Sequence, residues 1–300
     1  MARLSLAPIM VFCVALFGML GTATEARGEE ATSPRIATVD WTIAETLMAL
    51  GAPPTAMAQV AEYHAWVEQP AMPESVVDLG LRAQPNRELA ASLDLDRFLL
   101  SPLFAALEPT LSQIAPVTTL STYRPDSDLW QNLLETTRQL GEIVGKPAAA
   151  DRVIAEHQQR IKQVRQSLPN TLPPLLVVQF IDNRHVRVYG EGSLYNMVLD
   201  RLGLTNAWQG GTNLWGYSTA GIEELTQEGY LVVVDPMPMG VEGHLDANSL
   251  WKLLPAVQSD RVIHLPAVWS FGALPSAVRF AEELGQALTT PLFRQGATGS

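Results

Sequence analysis

The stretch P-A-A-A-D-R-V-I-A-E-H-Q-Q-R-I-K-Q-V-R-Q-S-L, residues 147–168, decides how the rest of the chain is arranged. Pro147 suits the first turn of a helix, and neither proline nor glycine follows before Leu168. At 1.5 Å per residue the predicted helix is about 33 Å long, which is enough to cross one lobe and enter another. The stretch therefore predicts a rigid connection between two lobes.

The segments on both sides of this helix alternate strand and helix patterns. Before it, residues 36–40 are predicted as a strand, and Thr42 is predicted as the N-cap of the next helix, with Glu45 three residues later. After it, the same alternation resumes at Pro174. We therefore predict an α/β protein of two α/β lobes bridged by one long helix. The predicted boundaries are 35–143 for the N-terminal lobe, 144–169 for the bridging helix, 170–290 for the C-terminal lobe and 291–300 for a flexible tail.

Residues 1–26 are predicted to be a signal peptide. A short basic start precedes an apolar run over residues 4–20, and small residues lead to a cleavage site after Ala26, with Ala23 as the rival site. A retained membrane anchor is the alternative, although the run is short for a bilayer span. The single cysteine, Cys13, lies inside this segment, so the mature chain would have none. A disulfide-free exported protein of this size indicates a bacterial periplasm.

The composition is that of a globular protein with an acidic surface. Hydrophobic residues make up 47% and charged residues 17%, and the formal net charge is −11. Removal of the predicted signal peptide takes away one basic and one acidic residue, so the balance is unchanged. Such a surface disfavours nucleic acids and anionic membranes as partners. We therefore expect no nucleic-acid partner.

The stretch N-A-W-Q-G-G-T-N-L-W-G-Y-S-T-A-G, residues 206–221, is predicted to be an aromatic loop. Its glycines oppose a helix, and its clustered aromatic residues do not alternate as a strand would. Rigid aromatic rings with nearby amides and hydroxyls are suited to binding a sizeable ligand. The alternative is a loop whose tryptophans fill the hydrophobic core. A cleft between two lobes would place this loop beside a ligand.

Five motifs spread along the chain resemble those of one known family. They are E-Y-H-A-W-V-E (62–68), V-V-D-L-G-L-R-A-Q-P-N-R-E (76–88), F-I-D-N-R-H-V-R-V-Y-G (180–190), N-A-W-Q-G-G-T-N-L-W-G (206–216) and P-A-V-W-S-F-G-A (266–273). Together they are similar to the periplasmic ferric-hydroxamate (ferrichrome-type) siderophore-binding proteins of ABC iron importers, over residues 35–288. The resemblance implies the helical-backbone fold of class III periplasmic binding proteins. It also implies capture of a ferric siderophore and its delivery to an inner-membrane ABC permease with a cytoplasmic ATPase.

The resemblance further implies a set of ligand-binding residues. Arg82 matches the family arginine that hydrogen-bonds the hydroxamate oxygens around the iron, and an arginine offers a planar five-donor fork to such a group. Phe104 lacks the hydroxyl of the family's tyrosine, Phe271 likewise lacks a hydroxyl, and Tyr217 replaces a serine, so some ligand hydrogen bonds of the family are in doubt. The other implied or candidate contacts are Trp66, Ile181, Trp208, Asn213, Trp215 and Trp269.

Arg187 is a further departure, because it stands where the family has a pocket leucine. By strand alternation, Arg187 shares one face with His185 and Tyr189. If this face looks into the cleft, the site holds two arginines. A neutral ferric tri-hydroxamate does not need the second arginine, whereas a negatively charged carboxylate or mixed citrate-type ferric siderophore would use it. We therefore hypothesise an anionic ligand.

The partners follow from the same resemblance. In this family one acidic residue on each lobe docks onto arginines of the permease, and Glu108 and Glu223 are the candidates here. The iron would arrive already chelated, so we expect no cofactor and no metal ligands of the protein's own. We expect a monomer, and we expect no enzymatic activity.

Three alternatives remain at this stage. The sequence G-Y-S-T-A, residues 216–220, nearly matches a hydrolase nucleophile elbow, with Asp235 and His264 downstream, but no buried strand directly precedes it. A direct metal binder is weakly indicated, since the five histidines show no metal-ligand spacing. Related two-lobed proteins carry cobalamin or haem, but these would be expected to lack the combination of Arg82 with the 206–216 motif.

Overall fold

A computed structural model describes residues 33–290 of the chain. The predicted signal peptide and the predicted C-terminal tail lie outside the described residues. Within this range the chain forms two five-stranded sheets and a separate two-stranded hairpin. No helix in the described part of the chain is long and apolar enough to cross a membrane.

The first sheet belongs to the N-terminal half and is parallel throughout. Its strands are β1 (Ile36–Thr38), β2 (Ala56–Met57), β3 (Val77–Asp78), β6 (Arg97–Leu100) and β7 (Val117–Thr119), in the spatial order β3-β2-β1-β6-β7. Strands β4 (Gly80–Leu81) and β5 (Gln84–Pro85) form the hairpin. The central strands β1 and β6 are short and apolar, as expected for strands covered on both faces.

Helices cover this sheet and lead to the second half. They are α1 (Trp41–Ala49), α2 (Val60–Trp66), α3 (Arg87–Ala91), α4 (Glu108–Leu111) and α5 (Leu129–Ile143), with a 3-10 helix at Pro102–Leu107. Parallel strands joined by helical crossovers bring the carboxyl ends of the strands to one edge of the sheet, where ligands commonly bind.

Helix α6 (Pro147–Ser167) is the predicted bridging helix. Its first turns contribute Ala150 and Val153 to a core cluster of the N-terminal half, together with Ile36 and Leu99. Its later turns contribute to the main core cluster of the C-terminal half through Ile154 and Ile161. One helix is thus anchored in both hydrophobic cores, which makes the connection rigid.

The second sheet is mixed. Its strands are β8 (Leu175–Phe180), β9 (His185–Tyr189), β10 (Tyr217–Gly221), β11 (Tyr230–Val234) and β12 (Val262–Leu265), in the order β10-β9-β8-β11-β12. Strands β9 and β10 run antiparallel to their neighbours, and the others are parallel. The helices of this half are α7 (Leu194–Leu202), α8 (Val241–Ala247), α9 (Ser249–Lys252), α10 (Pro255–Gln258) and α11 (Leu274–Thr289), with a 3-10 helix at Ile222–Glu224.

Two local predictions are wrong. Helix α1 begins at Trp41, and its N-cap is Asp40, whose carboxylate accepts hydrogen bonds from the amides of Thr42 and Ile43 at 2.9 and 3.4 Å. Aspartate caps a helix at least as well as threonine, so Asp40 rather than Thr42 is the N-cap. The predicted loop over residues 206–221 is also too long, because its last five residues form β10, paired with β9 along its whole length. The predicted lobe boundaries stay predictions.

Candidate binding site

A cavity of about 430 Å³ lies between the two halves of the molecule. On the N-terminal side it is reached by residues that follow β1, β6 and β7, at the carboxyl edge of the parallel sheet. Its lining comprises Asp40, Thr42, Ile43, Arg82, Ser101, Pro102, Leu103, Thr122 and Tyr123 from this side, and Arg187, Leu214, Trp215, Tyr217, Trp269 and Phe271 from the other. Most of this lining is aromatic or aliphatic, with a few charged groups set into it.

Arg82 is held firmly at the turn of the β4–β5 hairpin. Its Nε donates to the carbonyl oxygen of Val39 at 2.8 Å. Its guanidinium carbon lies 4.3 Å from the ring centroid of Trp41 and 4.8 Å from that of Phe104, within cation–π range. Burial lowers the pKa of Arg82, and the nearby carboxylate of Asp40 opposes this effect. Arginine nevertheless stays charged, so a cation with two terminal nitrogens faces the cavity.

Arg187 reaches the cavity from β9 and is held more loosely. It stands directly opposite Gln179 of β8, and its Nη1 donates to the Gln179 side-chain oxygen at 3.4 Å. The Tyr189 hydroxyl donates to the same oxygen at 3.0 Å, and the Gln179 amide donates to the carbonyl of Asp235 at 3.2 Å. The Arg187 guanidinium carbon lies 5.5 Å from the Tyr217 ring centroid. Buried Gln179 therefore links the Arg187 guanidinium to the Tyr189 hydroxyl through one shared oxygen.

Asp40 supplies the negative charge in the lining. Besides capping α1, it accepts a hydrogen bond from the Ser101 hydroxyl through its second oxygen. A carboxylate at a helix N-terminus is stabilised by the amides and the helix dipole. Its charge is therefore satisfied within the protein, and the two arginines face the cavity with a net positive charge.

The aromatic wall of the cavity comes mainly from residues 269–271 and from the loop before β10. Trp269 packs edge-on against Phe271, with ring centroids 5.2 Å apart, and Phe271 packs against Trp215 at 5.4 Å. Tyr123, from the other half, lies 5.5 Å from Trp215 and donates its hydroxyl to the carbonyl oxygen of Gly272 at 2.8 Å. These rings form a continuous apolar surface that spans both halves.

A sequence profile described as periplasmic binding protein matches residues 36–268. The chain belongs to this periplasmic binding protein family. It is 31% identical over 285 residues to the iron(3+)-hydroxamate-binding protein FhuD of Escherichia coli, covering 93% of this chain and 95% of that one. It is 28% identical over 192 residues to the Fe(3+) dicitrate-binding periplasmic protein FecB of the same species, covering 61% and 60%.

The solved structures give the same result. The Fe3+–Desferal-bound siderophore-binding protein FhuD of Vibrio cholerae superposes with a TM-score of 0.82 at 29% identity, covering 86% of this chain and 99% of that one. The family and the bridged two-lobe fold predicted from the sequence are therefore confirmed.

Six of the predicted site residues of this periplasmic binding protein line the cavity together: Arg82, Arg187, Trp215, Tyr217, Trp269 and Phe271. Two more stand immediately behind them. Phe104 supports the Arg82 guanidinium, and Trp66 packs against Trp269 with ring centroids 6.4 Å apart.

The structure does not bring Trp208, Asn213 and Ile181 into the lining. Trp208 packs against the core beneath the C-terminal sheet, where a Cβ on Gly190 or Gly210 would come within 2.7 or 2.5 Å of its ring. Asn213 builds the turn instead, because its side-chain oxygen accepts from the amides of Trp215 and Tyr217. Ile181 lies partly exposed in the β8–β9 connection.

Sequence reasoning missed several lining residues. Asp40 is the last residue of the strand predicted over residues 36–40, and Ser101 directly follows β6, so that a position at a strand end could have identified both. Tyr123 lies in S-T-Y-R-P, a segment without a recognisable motif, and its role depends on the approach of Gly272 from the other half. Leu214, half-exposed at the rim, takes the place predicted for its neighbour Asn213.

The geometry gives little support to a serine hydrolase or to a direct metal site. Ser218 lies within edge strand β10, whereas Asp235 follows β11 and His264 lies on β12. Strands β9 and β8 separate β10 from β11, which corresponds to about 14 Å at the usual strand spacing. Ser218 donates to the carbonyl of Gly211. Over residues 33–290, no group of three or more His, Cys, Asp or Glu side chains is placed to hold a metal ion.

The two predicted docking residues are both exposed. Glu108 is the first residue of α4 in the N-terminal half, and Glu223 lies on the 3-10 helix after β10 in the C-terminal half.

Proposed function

We propose that this protein captures a ferric siderophore in the cavity between its lobes and delivers it to an inner-membrane ABC permease. The observation that carries the proposal is the pair of guanidinium groups, Arg82 and Arg187, which enter one aromatic-walled cavity from opposite halves. Aromatic rings bind the organic shell of a chelate, and guanidinium groups donate to the oxygens around the iron. The names of the relatives FhuD and FecB support the same ligand class.

We further propose that the ligand is anionic, as in a carboxylate or mixed citrate-type ferric siderophore. Among the charged lining residues, two are arginines and one is an aspartate, and the aspartate is already satisfied by the α1 N-terminus and Ser101. A neutral chelate would leave Arg187 partly desolvated without an anionic partner. An anionic chelate would use both cations, since hydrogen bonds between ionised groups are the stronger kind.

Titration of the iron-free protein (residues 27–300) tests the ligand class. The probes are ferrichrome, which is neutral, ferric dicitrate, which is anionic, cobalamin and haem. Tryptophan fluorescence provides the signal because Trp215 and Trp269 line the cavity, and N-acetyltryptophanamide corrects for absorption by the probes. We expect saturable quenching by ferric chelates, with ferric dicitrate the tighter. Binding of cobalamin or haem without any ferric chelate would overturn the proposal.

The natural ligand can be identified directly. Native mass spectrometry of protein purified from iron-starved cells should show an added mass that contains one iron and an organic chelator. Release of the chelator under reducing conditions then allows its charge to be determined. A chelator that is neutral when it binds iron would contradict the anionic ligand and leave siderophore capture intact.

We propose that Glu108 and Glu223, one on each half, dock the protein onto its permease, and that the protein works as a periplasmic monomer. Both carboxylates are exposed and available to basic residues of a partner. In proteoliposomes that contain the permease and its ATPase, Glu108→Lys with Glu223→Lys should abolish stimulation of ATP hydrolysis and leave siderophore affinity unchanged. The matched control is the exposed pair Glu88→Lys with Glu228→Lys, and equal loss in both pairs would reject these docking residues.

A further inference from the structure

A buried carboxyl group lies between the two halves, behind the cavity wall. Glu45 of α1 is fully buried. One of its oxygens accepts a hydrogen bond from the backbone amide of Ala273, and the other accepts from the Ser276 hydroxyl. Ala273 is the N-cap residue of α11. Glu45 therefore holds the start of a helix that belongs to the opposite half of the molecule.

The backbone held in this way carries the aromatic wall. Trp269 and Phe271 precede Ala273 by four and two residues. Thr42, one turn before Glu45, donates its hydroxyl to the carbonyl of Phe271 at 2.6 Å and accepts from the Trp269 indole nitrogen at 3.3 Å. Helix α1 thus holds residues 269–273 with two side chains, one near the rings and one at the helix start.

The contact is too close to admit another side chain. A Cβ placed on Gly272 would lie 2.3 Å from the side chain of Ser276 and 2.9 Å from a carboxyl oxygen of Glu45. Only a glycine at this position lets the Glu45 side chain reach the Ala273 amide. Glu45 itself does not line the cavity, so any effect on a ligand must pass through the segment that it holds.

We propose that Glu45 is a positioning residue for ligand binding, which fixes the backbone at Ala273 and thereby the rings of Trp269 and Phe271. This inference rests on the proposed function only for its affinity readout. Removal of the carboxyl group would leave the Ala273 amide and the Ser276 hydroxyl buried without a partner, and the segment would move to recover hydrogen bonds with water.

The titration of Glu45 supports this role. Burial raises the pKa of Glu45, the hydrogen bonds from Ser276 and Ala273 lower it, and the nearby carboxylate of Asp40 adds a smaller rise, so that the resulting pKa is about 8. The other titratable groups that face it are Tyr63 of α2 and Tyr123, whose own pKa values are raised by burial. The groups on α11 that contact it are neutral. Near pH 7 the Glu45 side chain is therefore protonated: its carbonyl oxygen accepts from the Ala273 amide, and its hydroxyl shares a hydrogen bond with the Ser276 hydroxyl. Glutamine, with one acceptor and one donor in the same places, is its closest mimic.

The test compares Glu45→Ala with Glu45→Gln in two measurements. Hydrogen–deuterium exchange of the ligand-free protein reports the Ala273 amide and the peptide around it. We expect faster exchange over residues 269–276 in Glu45→Ala, and protection at least as high as that of wild type in Glu45→Gln. Fluorescence titration with ferrichrome and ferric dicitrate should show about a tenfold loss of affinity for Glu45→Ala and little change for Glu45→Gln.

A pH series tests whether the neutral, buried carboxyl group of Glu45 takes part in holding the Ala273 amide. Protection of the Ala273 amide, expressed as the ratio of wild type to Glu45→Gln, should fall as the pH rises from about 5 to about 8 and level off above it, because Glu45 is neutral in the closed segment and ionises when the segment opens. The ratio cancels the intrinsic pH dependence of amide exchange, and it remains available if Glu45→Ala does not fold.

Unchanged protection in Glu45→Ala, or a ratio that stays flat between pH 5 and pH 8, would overturn the role of Glu45. Failure of every ferric chelate to bind wild-type protein would instead overturn the proposed function, and the exchange data would still decide the positioning role.

Discussion

The two arginines of the cavity are held in very different ways. Arg82 has its Nε bonded to a backbone carbonyl at 2.8 Å and its guanidinium close to the rings of Trp41 and Phe104. Trp41 is in turn buried, and its indole donates to the carbonyl of Ala58. Arg187 donates a long hydrogen bond, 3.4 Å, to the Gln179 side chain, and the ring centroid of Tyr217 lies 5.5 Å from its guanidinium carbon. One cation is preorganised, and the other retains freedom to move.

This difference indicates a division of labour. A preorganised group loses little entropy on binding and suits a feature that every ligand presents in the same place, such as the oxygens around the iron. A loosely held group adapts to a feature that varies, such as the outer charge of the chelate. We therefore expect Arg82 to contribute affinity for all ferric siderophores and Arg187 to contribute selectivity by charge.

The largest expected effect is that of Arg82→Ala. We expect the affinity for ferrichrome and for ferric dicitrate to fall alike, by about 100-fold, because a partly buried arginine at the centre of a site commonly dominates binding. Fluorescence titration gives both constants, and thermal unfolding checks that the variant is folded.

Arg82→Lys is the matched control, because it keeps the charge and loses the fork. We expect it to recover only a small part of the affinity. If lysine restores wild-type binding, the fixed geometry of Arg82 does not matter and the contrast with Arg187 fails.

The contrast also shows what the sequence could predict. The bridging helix was predictable because residues 148–168 lack proline and glycine and because its buried residues recur at helical spacing. Strand alternation predicted that Arg187 shares one face with His185 and Tyr189, and the structure shows that Arg187 lies opposite Gln179 and lines the cavity. Periodicity and local motifs are sufficient for such features because they depend on neighbours in the chain.

Other features depend on residues that are distant in sequence. Trp208 and Trp215 have similar surroundings in the chain, yet one packs against the C-terminal core and the other lines the cavity. The difference arises because Gly190, on a neighbouring segment, leaves room for the Trp208 ring. The roles of Asp40 and Tyr123 also depend on residues distant in sequence. Asp40 accepts a hydrogen bond from Ser101, and Tyr123 donates one to the carbonyl oxygen of Gly272.

The next largest effect is expected for Arg187→Ala, and it should depend on the ligand. We expect about a tenfold loss of affinity for ferric dicitrate, the value of one charge-assisted contact, and no change for ferrichrome. The control is Arg184→Ala, which removes the same charge from an exposed position three residues away. Equal losses for both chelates in Arg187→Ala would show that Arg187 is a second general contact and would end the division of labour.

Phe104→Leu tests the fixation of Arg82 from behind. The ring centroid of Phe104 lies 4.8 Å from the Arg82 guanidinium carbon. Loss of such a cation–π contact should lower the affinity for both chelates by about fivefold. Phe104→Tyr keeps the ring face and should bind at least as tightly as wild type. A loss for ferric dicitrate alone would contradict the idea that Phe104 acts through Arg82.

The smallest expected effect is that of Gln179→Met, which removes the hydrogen-bond acceptor that Arg187 and Tyr189 share. We expect the affinity for ferric dicitrate to fall about threefold, because Arg187 then samples more orientations, while ferrichrome binding is unchanged. Some loss of thermal stability is also expected, since Gln179 is buried and bonded to the Asp235 carbonyl.

The double variant Gln179→Met with Arg187→Ala decides whether the two residues act as one unit. If Gln179 works through Arg187, the double variant should bind ferric dicitrate as weakly as Arg187→Ala alone, because coupled residues are not additive. Additive losses would mean that Gln179 reaches the ligand by another route. Since Gln179 is buried behind the lining, an additive result would also require the C-terminal sheet to shift, and amide exchange across β8 and β9 would detect it.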